Sequence, residues 1–268
     1  ANATVETRDG DFRSQTFIHS RHNVMCVETE ALAGLRIELE RRPVQFGCGG
    51  LSWANGSWEN SGTTDLSELD DLQERKRKIF AEMRKQPRSD VRYGALEGAG
   101  WILHALPNMS YAVALKVCGT ARVACSCDGD RLAISVTSAC APIRILVAIA
   151  TSRESADPLK HALRLLDEAE AITDLSASHE DWWDGFWQRS SIEVPDQLEE
   201  NLWYLGLYQQ ACCSRSEVAT SFFGLWHPLD YRTWNDCYVA DAQVEMIWWC
   251  CFASNHLELL YPSHRTFG

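Results

Sequence analysis

The sequence predicts an antiparallel β-sandwich that gives way to helices, a β plus α architecture of more than one domain. Two observations carry this. Up to about residue 152, short runs rich in β-branched and aromatic residues are divided by turn signals such as Asp128-Gly129-Asp130 and Pro107-Asn108. After Arg153 the apolar period changes from two to 3.6, the period of a helix with one buried face.

Strands are expected at residues 13–19, 23–28, 35–41, 101–106, 111–117, 122–126, 131–137 and 143–151. One helix should interrupt them at about 65–85, where Leu66, Leu69, Leu72, Ile79, Phe80 and Met83 recur at three- and four-residue intervals. Its acids come early and its bases late, as the helix dipole favours. The basic run Arg75 to Lys78 is then one end of a solvated helix face.

Beyond the change of period, Asp157 and Pro158 read as an N-cap and first helical residue. Leu159, Leu163, Leu166 and Ala169 share the face that follows. A second helix is expected from Ser178, with Trp182, Trp183, Phe186 and Trp187 on a single buried stripe. An extended link at 191–194 leads to Asp196-x-x-Glu199, a capping box opening a helix that runs to about Cys213. Leu198, Leu202, Trp203, Leu205, Leu207 and Tyr208 leave that helix little polar face, as suits an inner helix of a helical barrel. A last helix is expected from Asp241 to Ser254. The resulting division is a sandwich at 1–152, a helical linker at 153–195 and barrel helices at 196–268.

Composition narrows the function classes. A formal net charge of −12 disfavours nucleic acid, whose phosphates demand clustered Lys and Arg. The longest apolar runs, 143–150 and 246–253, fall well short of the roughly 18 residues of a membrane span. The eleven cysteines include no CxxC at zinc spacing and no secreted disulfide pattern, so most are read as small buried apolar residues, although one or two bridges stay open. No metal or cofactor motif is present: there is no phosphate loop, HExxH or nucleophile elbow. The chain opens ANATVETRDG and stops at SHRTFG, so truncation at both ends is expected. Sequons at Asn2, Asn55 and Asn108 leave the compartment open, with a lean toward secreted or periplasmic.

Two stretches resemble family 95 glycoside hydrolases, whose members include α-L-fucosidases and enzymes acting on L-galactose. The first is HEDWWDGFWQRSSIEV at 179–194. The second runs LYQQACCSRS, FFGLWHP, WNDCYVADAQVEMIWW and NHLELLYP in the family's order. The opening FRSQTFIHSRHNVMCVE is similar to the family's sandwich. The resemblance implies the latter part of an N-terminal β-sandwich, a helical connector and the start of an (α/α)₆ barrel, without cofactor and with an oligosaccharide or glycan as substrate. Where the family carries two asparagines that orient the attacking water, this chain has Asp241 and Gln243, with Val239 at a sugar-contacting position. The family's later Asp and its general acid Glu cannot be placed within the chain.

Inverting hydrolysis needs an acid for the leaving oxygen and a base for water, their carboxyls roughly 6.5–9.5 Å apart. Asp241 has two readings: a base that takes water's proton directly, or the cap of the last helix. Glu245, one turn on, either completes a two-carboxylate site or faces solvent. Eight of eleven tryptophans lie between Trp182 and Trp249, and core packing accounts for most of them. Trp226 and Trp234 are assigned to a sugar cleft because they sit in Gly/Pro-rich loop sequence, with His227 and Asn235 as partners for hydroxyls or as structural residues. A non-hydrolytic carbohydrate-binding relative, or a lyase or phosphorylase on the same barrel, are the competing readings.

Overall fold

The computed structural model describes residues 3–10, 12–30, 35–40, 47–48, 51–54, 57–60, 90–96, 98–106, 109–119, 121–128, 131–139, 142–220 and 242–268. The chain divides into two compact units, Ala1–Arg42 with Asp70–Gly185, and Pro43–Leu69 with Phe186–Gly268.

The first unit is built on a seven-stranded antiparallel sheet. Its order is β1 (Val5–Asp9), β2 (Phe12–Ile18), β3 (Val24–Thr29), β13 (Ile143–Thr151), β10 (Ser110–Cys118), β9 (Ala99–Ala105) and β8 (Asp90–Leu96). A three-stranded sheet, β11 (Ala121–Asp128), β12 (Arg131–Ala139) and β4 (Arg36–Glu40), covers one face. There Leu115, Val117, Ile143 and Ile145 meet Ile134, Val136, Ile37 and Val123 across the sandwich. Helix α1 (Pro158–Glu170) covers the other face, packing Ala162, Leu166 and Ala169 on Ala112, Ala114, Leu146, Ala148 and Ala150. The small alanines under α1 let the helix axis approach the sheet, and every one of them is fully buried.

Burial on both faces explains why β13 is apolar on both faces from Ile145 to Ala148, for side chains pointing either way there are buried or half-buried. All the strands expected from alternation are present. The last ends at Thr151, and α1 begins at Pro158, with the Asp157 carboxylate accepting from the Lys160 amide at 3.0 Å. Lys116 ties β10 to α1 through Asp167 at 2.9 Å and Glu170 at 2.6 Å.

Several elements differ from expectation. β1 and β8 were not expected, because VETRD and DVRYGAL carry few apolar residues for a strand. Short strands β5 (Gly47–Cys48), β6 (Leu51–Ala54) and β7 (Ser57–Asn60) form a third sheet in the second unit, also unexpected. The helix expected at 65–85 and the sequons at Asn2, Asn55 and Asn108 lie outside the described residues. Helix α2 (Leu175–Trp187) starts one turn before Ser178, because the Asp174 carboxylate accepts from the Ala177 amide at 2.9 Å and supplies the cap. Of its aromatic stripe, Trp183 and Phe186 are buried and Trp182 and Trp187 half-buried.

In the second unit, α3 (Gln197–Cys213) is capped by Asp196, whose carboxylate accepts from the Leu198 and Glu199 amides. The reciprocal reach comes from Glu200, which accepts from the Val194 amide at 3.2 Å, instead of from Glu199. Helix α4 (Ala242–Ala253) is followed by a 3₁₀ turn (Leu257–Leu260) and α5 (Tyr261–Phe267). The end of α4 has a specific cause. Asn255 sits at φ 55°, a left-handed conformation that Asn tolerates, so the His256 amide folds back onto the Cys251 carbonyl at 3.0 Å.

The cysteine expectation holds in part. Cys26, Cys118, Cys125, Cys127, Cys212, Cys213, Cys250 and Cys251 are free, and Cys26, Cys118 and Cys251 are buried. Burial pushes the Cys26 and Cys118 thiols up to about 12, so both stay protonated and inert. Cys127 and Cys250 are exposed, contrary to the reading of most cysteines as core; Cys127 stands at the end of an edge strand and Cys250 on an uncovered helix face. No described helix is long and apolar enough to cross a membrane.

Candidate functional site

The residues assigned to chemistry are mostly beyond what the structure places. Trp226, His227, Trp234, Asn235, Val239 and Asp241 lie outside the described residues. Gln243 falls in the first turn of α4, and Glu245 is exposed in the same turn. In the sequence Asp241 directly precedes Ala242, the first residue of α4.

What the structure does place is the packing of the segments that carry the family resemblance. In the first unit, the turn between β2 and β3 is organised by two buried histidines. The His19 Nδ1 accepts from the Arg21 and His22 amides, both at 3.1 Å. His179, on α2, accepts the Ser20 amide through its Nδ1 at 3.1 Å and stacks on Phe17 with ring centroids 4.7 Å apart. An imidazole that accepts at Nδ1 carries its proton on Nε2, so each backbone contact fixes a tautomer. His179 thereby latches the start of HEDWWDGFW onto FRSQTFIHS.

A corresponding junction occupies the second unit. The His256 ring is fully buried and stacks on Phe186 at 3.9 Å. Its Nδ1–H donates to Glu258 Oε1 at 2.9 Å, and the same oxygen pairs with Arg189 at 2.6 Å. The Ser214 hydroxyl, at the end of α3, donates to the Leu259 carbonyl at 2.9 Å. NHLELLYP is therefore held by residues of two of the other motif segments, HEDWWDGFWQR and LYQQACCSRS. Around these contacts Leu207, Ala211, Trp248, Cys251, Leu259 and Leu260 form the buried part of the unit.

Burial alone would raise the Glu258 carboxyl. The hydrogen bond from His256, a backbone amide and the Arg189 charge outweigh it and hold the group below the ordinary carboxylate range. A carboxyl depressed by folding adds stability that is present above its unfolded pKa and lost as pH falls through its folded value. Wild type is therefore expected to be more stable than Glu258→Gln at neutral pH and to lose that advantage at an acid pH below the folded carboxyl's lowered value. Urea unfolding of the second unit at the two pH values checks this, and an equal gap at both would remove Glu258 as an acid-sensitive tie.

One cleft of about 310 Å³ lies in the first unit, lined by Glu6, Arg8, Arg13, Glu28 and Glu30 among others. Among the described residues no aromatic face lines it, and its charges are largely paired, Glu6 with Arg8 and Glu28 with Arg144. It lacks the stacking platform a sugar ring wants. Sequence reasoning assigned His179 only to the likeness and passed over His256, Glu258 and Arg189. Their signal was histidine beside aromatics at helical spacing, which periodicity alone reads as core.

No family model matches the chain, and no curated protein matches it. Among solved structures it is similar to one described as a kojibiose phosphorylase from human microbiome, at 10% identity and TM-score 0.48, over 81% of this chain and 28% of that one. It is also similar to a family GH92 alpha-mannosidase from Bacteroides thetaiotaomicron, at 8% identity and TM-score 0.39, over 75% of this chain and 25% of that one. The chain thus spans about a quarter of the length of the structures it matches.

Proposed function

We propose that the chain is a segment of a carbohydrate-active enzyme, an inverting exo-glycosidase of the family 95 kind that removes L-fucose or L-galactose from an oligosaccharide or glycan. One observation carries the reading. The stretches that resemble the family, separated by as many as 159 residues at the Ser20–His179 contact, serve as packing partners within each unit. A chance likeness of isolated strings would not require them to meet.

On this reading the division is a sandwich at 1–152, a linker at 153–195 and the first barrel helices at 196–268. Leu198, Leu202 and Leu205 on α3, with Met246, Trp249 and Phe252 on α4, are exposed to about half or more of their surface. Apolar faces of this size are the ones that later barrel helices would cover. Asp241 is the proposed base, Gln243 stands at the second asparagine position, and Trp226, His227, Trp234, Asn235, Val239 and Glu245 line the sugar site. The replacement of both asparagines favours a second reading, a relative that binds sugar without hydrolysing it.

The longer parent chain, incubated with aryl α-L-fucosides, aryl α-L-galactosides and fucosylated oligosaccharides, is expected to release the terminal sugar with inverted anomeric configuration. Release with retained configuration would overturn the mechanism. Binding without release would favour the second reading, and neither binding nor release would sink both.

A further inference from the structure

We propose that β1 is a self-recognition edge, through which two copies of this chain join their seven-stranded sheets by antiparallel pairing of β1 with β1 about a two-fold axis at Thr7. Among the described residues β1 is the terminal strand of the sheet, and all five of its residues are exposed. An open edge of this kind carries unpaired backbone donors and acceptors and is a template for a further strand.

The hairpin geometry decides which groups face outward. β1 and β2 pair Asp9 with Phe12, three positions apart in sequence, as the closing pair of the hairpin, and Gly10 takes φ 58°. The closing pair of a two-residue hairpin exchanges both hydrogen bonds, and bonded pairs then alternate along the ladder. Thr7, opposite Ser14, therefore turns its amide and carbonyl toward β2, whereas those of Glu6 and Arg8 point to the open edge.

The charges then select a register. A two-fold centred on Glu6 sets Glu6 against itself, and one centred on Arg8 sets Arg8 against itself. A two-fold centred on Thr7 places Glu6 of each copy opposite Arg8 of the other. In that register the outward backbone groups of Glu6 and Arg8 form bonded pairs, so hydrogen-bond parity and charge agree. Glu6 and Arg8 already share one face of the strand, 3.4 Å apart. Pairing converts that exposed bridge into an alternating square of opposite charges, each cross-strand pair contributing favourably and like charges opposing it. The interface is closed and isologous. Because it is one strand wide, the association belongs to the weak class of interfaces.

The test is sedimentation velocity of the 268-residue chain at high micromolar concentration, with Glu6→Arg, Arg8→Glu and an equimolar mixture of the two variants. The wild type is expected to dimerise, with each single variant weakened by about tenfold or more. The mixture should recover the dimer, because an edge with two positive charges complements one with two negative charges. Thr7→Cys should cross-link on mild oxidation, since a non-bonded antiparallel pair holds its Cα atoms about 4.5 Å apart, within disulfide reach. Peptide mapping distinguishes that bond from bonds of the native cysteines. A monomeric wild type overturns the proposal. So does a dimer indifferent to both charge reversals, which would assign association to the apolar faces of α3 and α4. A longer parent chain in which the Thr7→Cys thiols stay apart would give the edge to upstream residues and overturn it equally.

Discussion

In a longer parent chain that hydrolyses glycosides, Asp241→Asn is expected to lower turnover by about 10²–10⁴ while leaving the melting temperature near wild type. The step at stake is removal of a proton from water as it attacks the anomeric carbon. A carboxylate accepts that proton directly, whereas an amide serves only with a second carboxylate to draw the proton away, so the substitution removes the base without changing the shape of the side chain. A cap role predicts another outcome. Asn caps a helix about as well as Asp, so a residue before α4 that only caps would leave both rate and stability unchanged. If a later carboxylate in the parent chain activates an amide at this position, activity should survive or improve, and Asp241 would cease to be an independent base. Turnover should be read with KM, because a fall in kcat at constant KM identifies an interaction made in the transition state.

The strands were legible because alternation and turn chemistry agreed along most of the sandwich. β13 shows the limit of that rule. Its run of apolar residues from Ile145 is ambiguous by periodicity, and only the flanking turn and its β-branched content mark it as a strand. β1 was illegible for the opposite reason. Its side chains are exposed on both faces, so it is held by backbone pairing with β2, and backbone pairing leaves no trace in the order of side chains. The start of α2 was misplaced because Asp174 and Ser178 are both competent caps, and the choice between them depends on where the chain leaves α1.

The site was less legible than the fold. Periodicity finds the faces that are buried, and a sugar site is made of polar and aromatic residues on loops that lack a period. The likeness to a family supplied positions for such residues, and the described part of that likeness consists of joints: His179 on the Ser20 amide, His256 between Phe186 and Glu258, Ser214 on the Leu259 carbonyl. Polar side chains that satisfy buried backbone groups are costly to replace, because the group left behind loses its partner inside the protein. These joints bear on how the units are held together, and the chemistry proposed above must be tested at Asp241 separately.

The framework itself has a sharp test at His179. His179→Ala is expected to destabilise the first unit by about 3 kcal/mol, summing the lost acceptor of the Ser20 amide, the lost ring stack and the cavity left behind. His179 is 1% exposed, and Phe17, on which it stacks, is 2% exposed, so neither can turn to solvent to relieve the loss. A loss of that size corresponds to a fall of roughly 10 °C in melting temperature for a unit of this size. His179→Asn separates the causes. The Asn side-chain oxygen lies near the place of the imidazole Nδ1 and can still accept from Ser20, while the ring and its stack are gone. The difference between the two variants therefore reads the hydrogen bond together with the volume that Asn restores, about 1–3 kcal/mol. Amide hydrogen exchange locates the effect: protection at Ser20, Arg21 and His22 should fall in the Ala variant and persist in part in the Asn variant. If His179→Ala changes stability by less than about 0.5 kcal/mol, the range of an ordinary surface substitution, the latch contributes nothing. The contact between the two motif segments would then be proximity without consequence, and the main support for the proposed function would go with it.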